Sequence, residues 1–147
     1  MEELKQKSLH PPKTGATAAT SRTQFNELDP EVQLALRSAA EKKATGVVVL
    51  DLRQIASFAE YFIIASGANQ RQVQAVADEI EEQLKGHHGM RPIRVEGYTT
   101  AEWVLMDYGD VVVHVQHDEE REFYALERLW RDCPLIELPA DVTSAAG

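Results

Sequence analysis

The chain holds 147 residues, 44 % of them hydrophobic, with a net charge of −9: enough for one domain with a core, and too acidic for extensive direct contact with phosphate backbones. Its single cysteine, Cys133, excludes an internal disulfide framework, and no apolar run nears the roughly 20 residues of a bilayer span. The opening "MEELKQKSLHPP" has no apolar h-region, so a cytoplasmic protein is expected.

Residues 1–28 read as a flexible arm, because "HPPKTGATAATSRT" lacks any apolar period. The arm carries four basic and three acidic residues and the tail, 139–147, one acidic residue, so residues 29–138 hold the whole net −9. Solubility explains that sign as well as a basic protein partner does.

The domain opens with "DPEVQLALRSAAEKKATG", a helix with Asp29 as N-cap, Pro30 at its first position and a stop at Gly46. "VVVLDL", 47–52, and "YFIIAS", 61–66, are β-branched runs suited to buried strands. "GANQRQVQAVADEIEEQLKG" places Val73, Val76, Ala77, Ile80 and Leu84 on one helical stripe, with Asn69 and Gln72 as a capping box and a stop at Lys85-Gly86. "RPIRVEG" is a short strand near a sheet edge, since Pro92 cannot donate to a ladder. "AEWVLMDYGDVVVHV", 101–115, is a hairpin, and "DEEREFYALERLWRD" a last helix capped by Asp118, with Phe123, Leu126, Leu129 and Trp130 on its apolar face. The order predicts a single α/β domain over 29–138, with a mixed sheet of about five strands covered by helices.

Two carboxylates, Asp107 and Asp110, lie at the tip of the hairpin. A metal-dependent phosphoryl-transfer site wants paired carboxylates converging on cations. Leu105 and Gly109 occupy the positions two before and two after Asp107, so a D-x-D pair is missing, and turn chemistry accounts for both residues more simply. Ser66-Gly67 before the long helix could meet an anion, but no GxxxxGK[ST] or GxGxxG accompanies it. His87 and His88 fall in a polar "GHHG" loop, and His114 and His117 at the last strand; none has metal-ligand spacing. Trp103 at a strand start and Tyr124 beside the core stripe of the last helix are candidate docking rings.

"DLRQIASFAEYFIIASGANQRQVQAVADEIEEQLK", "RVEGYTTAEWVLMDYGDVVVHV" and "REFYALERLW" together resemble the ribosomal silencing factor family (the RsfS, or Iojap, group), over roughly residues 30–132. The resemblance implies a nucleotidyltransferase-like fold without the catalytic residues, no cofactor, and no enzyme activity. It implies binding to the large ribosomal subunit through ribosomal protein uL14, a steric block on joining of the small subunit, and repression of translation under nutrient limitation. It also implies a homodimer, and it carries partner-binding roles onto Trp103, Tyr108 and Tyr124, with Asp107, Gly109 and Asp110 as the hairpin signature. Ala101 and Gln116 depart from the residues usual in that family. The alternatives are a ribosome assembly factor, or a nucleotidyltransferase-like enzyme using Ser66, Gly67, Asp107 and Asp110.

Overall fold

A computed structural model describes residues 3–12 and 23–143. Its centre is a five-stranded mixed sheet of β1 (Thr45–Asp51), β2 (Tyr61–Gly67), β3 (Arg94–Glu96), β4 (Trp103–Asp107) and β5 (Val111–His117). The strand order is β1-β2-β5-β4-β3, with β2 and β5 parallel and the other neighbours antiparallel. All seven positions of β2 are buried, which is why its sequence is apolar without alternation. β3 is an edge strand, as Pro92 suggested. The α/β domain with about five mixed strands read from the sequence is the one found.

Helices cover both faces, so there are two cores. On one face α2 (Pro30–Glu41) and α3 (Gln70–His88) bury Leu36, Val73 and Ile80 against Val104, Val113 and Val115. On the other, α1 (Glu3–Leu9), α4 (Asp118–Tyr124) and α5 (Leu126–Leu129) lie over Leu50, Phe62, Ile64 and Leu105. We call the second the outer face.

Several ends differ from the sequence reading. Asp29 stands at the N-cap of α2, but its side chain makes no capping bond; its carbonyl accepts from Val32 and Gln33 instead. α2 stops at Glu41, with Lys43 left-handed at φ 61°, and Gly46 lies inside β1 in a bulge between Thr45 and Val48. Asn69 Oδ1 caps α3 by accepting from Gln72 N–H at 2.8 Å, while Gln72 Oε1 accepts from Ala68, one residue before the cap. The "GHHG" segment is the last turn of α3, not a loop: the helix runs through Gly86 to His88, and Gly89 N–H donates back to Lys85.

The last helix is broken. Ala125 takes a left-handed φ of 47° and divides it into α4 and α5. Its N-cap is His117, whose Nδ1 accepts from Glu119 N–H, not Asp118. The arm and tail are structured in part. Besides α1, residues Phe25–Glu27 form a 3-10 turn with Phe25 in the core, and α6 (Ala140–Thr143) buries Val142. The remainder of the proposed arm and tail, residues 1–2, 13–22 and 144–147, lies outside the described residues.

Candidate functional site

The outer face is organised around Trp103. Residues 103, 105 and 107 of β4 point to this face by strand alternation, as do 112, 114 and 116 of β5. Trp103, a candidate docking ring in the sequence, is only 3 % exposed, so its own ring is buried. Its Nε1–H donates to Nδ1 of the fully buried His114 at 3.0 Å, which leaves the neutral imidazole its proton on Nε2. Burial, aided by the nearby cations Lys5 and Arg121, holds the His114 pKa down at about 3. His114 Nε2 and the Gln116 amide have no hydrogen-bond partner among the described residues. Gln116 is opposite Trp103 in the ladder and fully buried.

Tyr124, at the end of α4, packs its ring on Trp103 with centroids 4.8 Å apart. Phe123 meets Tyr124 edge-on at 5.0 Å and is 78 % exposed. The sequence placed Phe123 in the core of one continuous helix. The break at Ala125 sends it outward while Leu126 and Trp130 stay buried. The result is a graded stack from buried Trp103 through half-buried Tyr124 to exposed Phe123. Exposed Asp118, Glu119 and Glu122 share α4 with the outer rings. Arg121 is turned inward, donating to Ser66 Oγ at 2.6 Å and to the Gly46 carbonyl at 2.7 Å.

Tyr108 does not join that stack. It lies at the other end of β4 and packs with the inner core, sharing a cavity of about 10 Å³ with Val32, Leu84 and Met90. Burial pushes its phenol up to about 12. The hairpin tip is a turn in its chemistry: Gly109 N–H donates to Asp107 Oδ1 at 2.8 Å, and Gly109 takes φ 89°, a region that favours glycine. Asp110 is exposed, and its carbonyl accepts from Glu60 and Tyr61.

The residues of the enzyme alternative stand apart. In the ladders Ser66 is level with Gln116 of β5 and Asp107 with Val112, four residues apart along one strand, or roughly 13 Å at 3.3 Å per residue. Ser66 is itself buried and bound to Arg121. Among the described residues, no three His, Cys, Asp or Glu side chains are placed to hold a metal ion. Cys133 is buried, which pushes its thiol up to about 11. No helix among the described residues is long and apolar enough to cross a membrane.

Fold and face define an α/β sheet protein whose central surface is built from packed rings and a buried histidine, not from convergent carboxylates. Residues 25–146 match the family described as "Ribosomal silencing factor during starvation". The chain belongs to the ribosomal silencing factor family. It is 46 % identical over 107 residues to "Ribosomal silencing factor RsfS" of Halalkalibacterium halodurans, covering 73 % of this chain and 91 % of that one. The protein of the same name from Bacillus subtilis is 43 % identical over 107 residues, covering 73 % and 90 %. A crystal structure from Bacillus halodurans is 44 % identical with a TM-score of 0.64, and covers 73 % of this chain and 96 % of its own.

Proposed function

We propose that this chain is a non-enzymatic silencing factor of the cytoplasm. It binds the large ribosomal subunit through ribosomal protein uL14 and occupies space that the small subunit needs for joining, so translation falls when nutrients are scarce. The family match over residues 25–146 carries this reading. The graded ring stack supports it: Phe123 and Tyr124 offer the contact, and buried Trp103 holds them in place. Large amphipathic rings are the residues that anchor interfaces. The acidic residues beside them on α4 suit a basic ribosomal protein, which approaches an acidic domain through complementary charge.

The tip of the hairpin, Asp107, Tyr108, Gly109 and Asp110, is a second contact patch apart from the ring stack, presenting the exposed Asp110 carboxylate while Tyr108 is anchored in the other core. The free protein is a homodimer. The test uses full-length protein and purified subunits. Phe123→Ala and Tyr124→Ala weaken co-sedimentation with large subunits at least tenfold each, which corresponds to about 1.4 kcal/mol or more, and restore subunit joining in proportion. Wild-type protein that leaves joining unaffected refutes the reading. Precursor particles accumulating on gradients when the protein is removed point to assembly instead.

A further inference from the structure

The outer face already has an occupant. α1 lies outside the residues matched to the family, which begin at 25, yet it docks on the most ring-rich part of that face. Lys5 Nζ sits 4.9 Å from the centre of the Trp103 ring and donates to the Trp103 carbonyl at 2.7 Å. Leu4 enters the outer core, and Trp130 Nε1–H donates to the Ser8 carbonyl at 2.7 Å. Lys7 lies 5.9 Å from the Phe58 ring. A lysine placed over a tryptophan is the contact a basic partner would make with this face.

Three properties make α1 separable. It has seven residues, too few to hold a helix without docking. Its anchorage is modest: Leu4 and the partly buried Leu9 on the outer core, Lys5 on Trp103, Lys7 near Phe58 and one indole bond to the Ser8 carbonyl. Residues 10–24, rich in Pro, Thr, Ala, Ser and Gly, join it to the domain, so its docking is intramolecular and needs no intrinsic strength of a bimolecular kind.

We infer that α1 is a cap on the docking face, with Lys5 imitating in cis the cation that a basic segment of the ribosomal partner supplies in trans. The regulatory part rests on the docking reading above. A cap lowers apparent affinity by the fraction of molecules that are open. Phe123 stays exposed with α1 docked, but the partner reaches the Trp103 ring on which Tyr124 packs only when α1 releases it.

The test compares the full-length chain with its Leu4→Asp and Lys5→Ala variants. Leu4→Asp places a charge where a leucine is buried, and Lys5→Ala removes the Nζ contacts to the Trp103 ring and carbonyl while leaving Leu4 in the core. Acrylamide quenching of tryptophan emission reads the cap directly, because both tryptophans contact α1. Calorimetric titration with purified uL14 reads the docking. Both variants should quench more readily, and bind uL14 about tenfold more tightly, as expected for a cap open in about one molecule in ten. Unchanged quenching shows that α1 does not shield the tryptophans and overturns the cap. Increased quenching with an unchanged or weaker Kd overturns its regulatory role. Increased quenching with no uL14 binding by any form overturns the docking reading, and with it the regulation, while leaving α1 in its place on the face.

Discussion

Replacing Trp103 by Phe isolates the bond on which the outer face is organised. The indole N–H is the donor to His114 Nδ1 at 3.0 Å, and His114 is fully buried with Nε2 already lacking a partner among the described residues. Phe keeps a ring against Tyr124 but cannot donate. An acceptor left unsatisfied in the interior costs about 1–3 kcal/mol. The indole atoms that Phe lacks leave a void worth about 1 kcal/mol more. The sum is about 2–4 kcal/mol, or a fall in Tm of roughly 6–12 °C at this chain length. Urea titration at neutral pH measures it, and the same substitution in a His114→Leu background separates the two parts: without the orphaned imidazole the cost should shrink by about 1–3 kcal/mol. A loss below about 1 kcal/mol in the native background would refute the bond's role. The same burial means that Trp103→Ala is a test of folding before it is a test of docking.

The remaining expectations concern pH and backbone. His114 binds its proton far more weakly in the fold, at about 3, than in the unfolded chain, at its ordinary 6.5. Its stabilisation is therefore complete above pH 6.5 and declines as pH falls toward 3, by about 2 kcal/mol at pH 5; urea midpoints at pH 8 and pH 5 should show this slope, and His114→Leu should flatten it. Gly97 holds φ 77°, and an added Cβ would lie 2.1 Å from the Trp103 carbonyl oxygen and 2.7 Å from Lys5 Nζ. Gly97→Ala should cost about 2–4 kcal/mol in thermal denaturation, and a near-neutral result would show that the chain does not approach so closely there. Ala125→Gly should stabilise by about 0.5 kcal/mol, since relief of the left-handed φ exceeds glycine's entropy cost. Destabilisation by about 1 kcal/mol would mean instead that the last helix is continuous.

The strands were legible because β-branched runs at 47–52 and 61–66 and the hairpin at 101–115 satisfy local preferences and tertiary burial together. α3 was legible for the same reason, all five residues of its stripe being buried. The break at Ala125 was not: alanine is the strongest helix former, and the spacing of Phe123, Leu126 and Trp130 suits an unbroken helix equally well. That one dihedral decides whether Phe123 is core or surface. Alternation along β4 does put Tyr108 on the face opposite Trp103, so their separation is already implied by odd and even numbering. Docking of α1 rests on contacts between residues 98 and 122 positions apart in the chain, beyond the reach of local patterns. Ala101 takes a left-handed φ of 54°, a region that favours glycine and that no local pattern around an alanine announces.

The two borders of the sheet are unlike. Leu135 bridges Leu50 of β1, with Asp51 N–H donating to the Pro134 carbonyl and Ile136 N–H to that of Val49. A passing strand therefore finds that margin taken, whereas β3 at the far margin has no outer neighbour among the described residues. Growth of a fibril by strand addition requires every subunit to present two sticky sides. With a single one, such pairing ends once two molecules have met.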